Sequence, residues 1–475
     1  MSVKKQAAEG MAWSAIERFS TQGAQFILTI VIARILSPDD YGLVAMLSIF
    51  MSIAQTLSDS GFSNALIQKK NRTETDYCTI FYFNIAMSVL IYFILFAVAP
   101  LIANFYQQSQ LVKILRVLGL NLIINSFSVV QSARFTVNLD FKRLTLASFS
   151  STLVGGGIGM WMAYHGFGVW TLVLQSLISS ICWSCILWLH SGWLPKWEFS
   201  FSSFRTLFSF GSKLMFSSLL HTMYTNMYSL IVGKVFNAST LGFFNRAYTL
   251  GLFPVQNFSY IIQKVLFSVQ CRYQDDDKKF DYIFIQNIRL SCYLLFPVMV
   301  GLAVLAEPLI KVMLTDKWLP VVPLLQIICF AQMWDPIMRI NSMTLVSKGR
   351  SDYQLRAEII KKVLAIVILF LLLPFGIQSV CFGMLLYSFV DMVVVIAFSR
   401  KVVSIGYVKQ FKILLPSFLL TLSMGVIVLV ITSIIKSSIL RLVIGMFSGV
   451  TFYVVFSYLL KFAELKTLWT LYRTR

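Results

Sequence analysis

Arginine, lysine and carboxylate side chains recur inside stretches of this sequence that are otherwise apolar. Arg18 shares one helical face with Ser14, Gln22, Gln25 and Thr29. Asn245, Arg246, Gln256 and Lys264 crowd into a single later run. Asp335 and Arg339 stand four residues apart with Asn341 beyond them, and Pro336 removes a backbone donor at the same place. Asp59 and Asp391 lie well inside two further runs. An ionisable group is costly in hydrocarbon and needs a reason to be there. Fixed cations can hold an anion, and a buried carboxylate can pair with a cation or carry a coupling ion. Structural roles compete with these. Arg134, Lys213 and Arg289, within about a turn of a helix end, suit snorkelling to anionic lipid headgroups. Asp335 has Arg339 as a ready structural partner, and for Asp59, Asp335 and Asp391 pairing weighs at least as much as ion coupling. Polar neighbours continue the faces of Arg18 and Arg339 inward, which favours a binding role for those two.

No catalytic constellation accompanies them. His165 and His190 fall at the ends of apolar runs, only His221 falls inside one, and no Cys–His spacing suits a metal. The glycines of 155–159 follow no strand, so close helix packing explains them better than a phosphate loop. Asp275, Asp276 and Asp277 beside Lys278 and Lys279 read as a solvated charge run. Cys182 and Cys185 lie mid-helix, away from the exposed, electropositive setting a reactive thiol needs. No enzyme activity, cofactor or metal is expected.

The elements that must position these residues follow from composition. Of 475 residues, 57% are hydrophobic and 13% charged, with a mean hydropathy of +0.76. A soluble chain has roughly a quarter charged residues, so this one cannot cover its surface in water. The net charge of +20 does not imply nucleic acid, because the basic residues sit between apolar runs. With roughly twenty apolar residues per span, about fourteen spans are expected: 14–36, 43–67, 79–103, 111–135, 146–164, 167–189, 208–232, 241–267, 285–310, 321–346, 359–375, 377–399, 411–435 and 439–460. The fold class is therefore an all-α polytopic membrane protein. Residues 1–13 are polar and mixed, so no cleavable signal is expected. Alternate loops hold 25 of the 40 Lys and Arg residues, Lys361 and Lys362 among them, and the other loops hold seven. That asymmetry predicts both termini in the cytoplasm.

A repeat organises the spans. Ala33–Gly42 and Gly233–Gly242 match position by position at an offset of 200 residues: small, basic, two apolar, polar, small, two polar, large apolar, glycine. Six spans separate the copies, so both enter the membrane the same way round, as a parallel repeat requires. The expected organisation is two six-helix lobes around a central cavity plus two C-terminal helices. The lobes are 1–190 and 208–400, the linker between them 191–207, and residues 401–475 hold the last two spans and a cytoplasmic tail. The linker, rich in Trp and Phe, reads as an amphipathic interfacial segment, and so does the tail from Lys461.

Ala33–Gly42, the end of span two at Asp59–Gln68, and Leu241–Tyr248 together resemble the Wzx-type lipid-linked oligosaccharide flippases, in their colanic-acid-exporter-like branch. The resemblance covers essentially the whole chain in span number and spacing. It implies the multidrug/oligosaccharidyl-lipid/polysaccharide exporter fold and a bacterial inner-membrane location. The implied partners are a lipid-linked oligosaccharide as substrate, membrane lipids, and the glycan polymerase and glycosyltransferases of the same pathway. Relatives line the cavity with basic residues, and Arg18 is the residue the resemblance carries over. Gln22, Gln25, Asn245, Arg246, Gln256, Lys264 and Arg339 complete the expected substrate-binding set, with Asp59, Asp335 and Asp391 as ion-coupling candidates. A drug/cation antiporter of the same fold and a membrane-embedded glycan polymerase are the alternatives. The first predicts an acidic cavity lining and the second a large outer loop.

Overall fold

The computed structural model describes the backbone of residues 3–59, 61–69 and 71–466, and their side chains except 3–12, 14, 15, 18, 64, 210 and 260–269. Eighteen α-helices account for nearly all of it. They are α1 (Val3–Ile35), α2 (Pro38–Asp59), α3 (Phe62–Gln68), α4 (Glu74–Tyr106), α5 (Gln110–Ser126), α6 (Val129–Val137), α7 (Phe141–Tyr164), α8 (Trp170–Ser191) and α9 (Phe201–Val235). There follow α10 (Ala238–Arg272), α11 (Asp277–Val304), α12 (Ala306–Leu314), α13 (Val321–Gln332), α14 (Asp335–Ser347), α15 (Ser351–Leu372), α16 (Ile377–Ser399), α17 (Tyr407–Ser433) and α18 (Ser438–Leu459). Every expected span falls on one helix or on two consecutive ones. Among the described residues, eight spans are long and apolar enough to cross a membrane, or nine if the α5–α6 pair, bent by 41°, counts as one. The chain is a multi-pass membrane protein. Large apolar side chains such as Phe93, Val426 and Phe447 stand exposed along these helices, as lipid-facing positions do.

Local chemistry sets where helices start and break. Thr73 and Asp76 form a reciprocal capping box at the head of α4. Asp276 caps α11, and the Lys279 amide donating to it holds its carboxyl below the usual range. Arg350 grips Asp352 through Nε and Nη2, both at 2.9 Å, and holds that carboxyl at about 2. Span two breaks at Gly61, whose φ of +68° suits glycine. Span ten breaks at Met333 and Trp334, one turn ahead of Pro336, as the missing proline donor leads one to expect.

Close contacts divide the chain into two units, 1–242 and 243–475. In the first, α1 packs on α7, α7 on α8, α4 on α5, and α9 lies against α2 and α4. In the second, α16 packs against α13, α14 and α15, and α17 joins α11 to α18. The contact boundary thus falls within α10 rather than at 191–207. Phe204 and Phe208 of α9 lie against Phe62, which explains why this helix sits with the first unit. The linker becomes helical only from residue 201. Gly192–Ser200 runs without helical structure along the head of α4, with Ser200 N donating to Thr79 Oγ1 (3.0 Å) and Trp193 Nε1 to Glu74 Oε2 (2.7 Å).

The repeated turn holds in detail. Ser37 caps α2 by accepting from the Asp40 amide at 3.3 Å, and Asn237 caps α10 by accepting from the Thr240 amide at 2.8 Å. The two turns also meet. A Cβ on Gly42 would stand 1.8 Å from the Ala238 carbonyl oxygen, and one on Gly242 would stand 2.2 Å from that of Pro38. Only glycine lets the two backbones approach so closely. Gly42→Ala is expected to lower stability by about 1–3 kcal/mol, as overpacking does, read as a lower unfolding temperature of the purified chain in detergent. An unchanged temperature would show that the crossing tolerates a methyl group. Gly155, Gly156 and Gly159 also serve packing, while Gly157 faces open space: a Cβ on Gly156 would strike Leu28 Cδ1 at 2.2 Å.

Candidate functional site

The first unit holds a polar cavity of about 520 Å³ between α2, α5, α8 and α9. Helical spacing builds each wall. Ser48, Ser52, Gln55 and Asp59 follow one another at three or four residues along α2. Asn121 and Asn125 do the same on α5, Ser176 and Ser180 on α8, and Thr222 and Asn226 on α9. Gln55 Nε2 donates to Asp59 Oδ1 at 2.9 Å, Asn121 Nδ2 donates to Ser176 Oγ at 3.2 Å, and the Thr56 and Thr222 hydroxyls meet at 3.3 Å. Asn121 is buried, and its Oδ1 has no hydrogen-bond partner among the described residues. Asp59 is the only charged residue among the described residues of the lining.

The side chains of Arg18 and Lys264 lie outside the described residues. Gln22 on α1 is half-buried and Gln25 exposed. On α10, Gln256 is exposed and Asn245 half-buried, while Arg246 is buried with its guanidinium 5.3 Å from the centre of the Trp318 ring. In the second unit, Asp335 and Arg339 do come together. Arg339 Nε donates to Asp335 Oδ2 at 2.6 Å, and Ser259 Oγ donates to the same oxygen at 2.7 Å. Arg339 keeps 43% of its side chain exposed, so it pairs without being enclosed. Asp391 is paired as well, 3.1 Å from Lys361 Nζ.

Three expectations are corrected. Lys361 is no loop cation: only 6% of its side chain is exposed, and it also holds Glu358 at 2.6 Å. Its partner on α16 outweighs any pull towards the membrane surface. Arg289 does not reach for lipid headgroups, since its Nε donates to the buried Glu464 at 2.6 Å. Arg134 has Glu74 at 3.6 Å and the rings of Tyr77 and Trp193 within 5.4 Å, so protein replaces lipid around it.

Two features escaped the sequence reasoning. The amides of Asn341 and Gln410 bond each other reciprocally at 3.0 and 3.1 Å, and Ser399 Oγ donates to Asn341 Oδ1 at 2.6 Å, tying α14, α16 and α17 with fully buried polar groups. The other is the set of cavity walls on α5 and α8. Their only signal is a pair of Asn or Ser residues four apart within an apolar run, weaker than an isolated charge.

The fold resembles that of the lipid II flippase MurJ in its inward closed conformation, with a TM-score of 0.75 and 16% identity, covering 95% of this chain and 98% of that one. The lipopolysaccharide biosynthesis protein WzxC of Escherichia coli strain K12 is 24% identical over 372 residues, 77% of this chain and 75% of that protein. The teichuronic acid biosynthesis protein TuaB of Bacillus subtilis strain 168 is 24% identical over 432 residues, 90% of this chain and 89% of that protein. Residues 31–323, which include both repeated turns and all four walls of the cavity, match the polysaccharide biosynthesis protein family, and the chain belongs to it.

Proposed function

We propose that the chain is a flippase that carries a polyprenyl-diphosphate-linked oligosaccharide from the cytoplasmic to the periplasmic leaflet of a bacterial inner membrane. The observation that carries this reading is a cavity lined with hydroxyls and amides inside apolar helices, in a chain of the polysaccharide biosynthesis protein family. Polar side chains at that depth serve a polar passenger better than a lipid-facing surface. Relatives named for lipopolysaccharide and teichuronic acid synthesis, and a fold like that of a lipid II flippase, agree with it.

In this reading Arg18, Lys264 and Arg339 neutralise the diphosphate during passage, and Arg246 acts nearer the outer face. The two copies of the repeat form six-helix lobes that rock about the cavity in alternating access. The chain itself breaks no covalent bond. The test is surface glycan export in the host strain with this gene deleted, restored by the intact chain. Loss of export on deletion, with precursor accumulating on the cytoplasmic side, is the expected result. Export that continues unchanged would overturn the reading. Asp59, the one carboxylate among the described residues of the cavity, favours the drug/cation antiporter as the second reading, and efflux of an organic cation dye by the same strain distinguishes the two.

Orientation has its own test. In a chain with the native cysteines replaced, Asp39→Cys and Ser239→Cys are expected to react with an impermeant thiol reagent from outside, and Asp276→Cys is not. Equal labelling at all three would sink both the cytoplasmic termini and the parallel repeat.

A further inference from the structure

We infer that the cavity between α2, α5, α8 and α9 is the seat of a neutral, hydroxyl-rich sugar residue of the substrate. The inference rests on the flippase reading and deepens it.

Size comes first. About 520 Å³ lies within the roughly 300–1,000 Å³ of small-ligand sites. Charge comes next. Among the described residues the lining contains no Lys or Arg, and Asp59 is its one ion. An anionic group entering here would lose water without gaining a counter-charge and would face a like charge. A sugar hydroxyl needs both a donor and an acceptor, and the walls alternate the two. The Thr56 hydroxyl, which donates to the Ser52 carbonyl at 2.8 Å, offers an acceptor, and the amides of Gln55, Asn121 and Asn226 offer both. Asp59 is a charge-assisted acceptor for a hydroxyl pair. The buried Asn121 Oδ1, lacking a partner among the described residues, is an acceptor waiting for such a donor. Val44, Met51 and Leu118 complete the lining with apolar surface, which suits the C–H face of a pyranose ring.

An organic cation is the competing occupant, because Asp59 would attract one. Against it, the described residues of the lining supply no aromatic ring, and a hydrophobic cation gains little from so many hydroxyls and amides.

The probes are methyl glycosides of neutral hexoses, free glucuronate and ethidium, each titrated against the purified full chain in detergent by saturation-transfer NMR. Neutral glycosides are expected to bind at millimolar concentration and glucuronate at least about tenfold more weakly. Asp59→Asn and Asn121→Leu are each expected to weaken the glycosides by about tenfold or more, the effect of losing one hydrogen bond to a charged or buried partner. Thr222→Val, nearly the same shape, is the control for folding and is expected to weaken them less. Glucuronate binding as tightly as the glycosides, or glycoside binding that none of the three variants changes, would overturn the site. If no glycoside binds while export still depends on the chain, the sugar seat falls and the flippase reading stands. If ethidium alone binds and export does not depend on the chain, both fall.

Discussion

Replacing Arg18, Lys264 and Arg339 together by alanine is expected to abolish glycan export while the protein remains in the membrane at normal abundance. A diphosphate passing through low dielectric loses water that only fixed charge can replace, and bare transfer costs many kcal/mol. Hydrogen bonds to charged groups contribute about 1.5–3 kcal/mol each, so losing three such residues predicts a fall of more than about a hundredfold in rate. Arg339 fits the role structurally. It reaches Asp335 through Nε and is 43% exposed, so the guanidinium is steered by one carboxylate but still open to a ligand. Arg18→Lys should retain part of the activity, since lysine keeps the charge and loses the planar fork that suits phosphate oxygens. Export is read as surface glycan in the complemented deletion strain, with membrane abundance checked by immunoblot. Normal export by a well-expressed triple variant would show that the substrate does not use these cations.

The largest stability effect is expected at Lys361. Its ammonium, almost enclosed, holds Glu358 on its own helix and Asp391 on α16. Removing one member of a buried pair leaves an uncompensated charge and costs about 3–5 kcal/mol, whereas replacing both by apolar groups is often neutral. Lys361→Met alone should therefore lower the unfolding temperature of the purified chain sharply, and Lys361→Met with Asp391→Leu should recover most of it. A single variant as stable as the parent would mean that water reaches the pair. The double variant also bears on ion coupling. If export survives in it, Asp391 is a structural partner and carries no transported ion.

How much of this was legible in the sequence differs by level. The spans were legible because hydropathy is a local property, and the helices fall where apolar runs predicted them. The break before Pro336 was legible for the same reason, since a missing donor acts within a turn. Pairing across helices was not. Arg289 meets Glu464 from 175 residues away, and no spacing rule reaches that far. Lys361 counts with the loop cations because it lies two residues inside the start of span 359–375, while the buried carboxylate that holds it lies on another helix. The cavity was half legible. Asp59 stood out as a charge, but Asn121, Asn125, Ser176 and Ser180 are uncharged and become a wall only once four helices face one another. Arg18 and Lys264 remain proposals drawn from sequence alone.

The crossing of the two turns has one further consequence. Gly42 faces Ala238 and Gly242 faces Pro38, and at the offset of 200 these are equivalent positions: residue i meets residue j of the other copy, and j meets i. That is the form of an isologous contact in a twofold dimer. A half-length chain bearing a single such turn would satisfy both contacts by pairing with a second molecule of itself, using one glycine where the fused chain uses two. The crossing thus has, within one chain, the geometry of a twofold homodimer contact. In the fused chain the two glycines are free to diverge, yet each still occupies a place where the opposite backbone leaves no room for a methyl group.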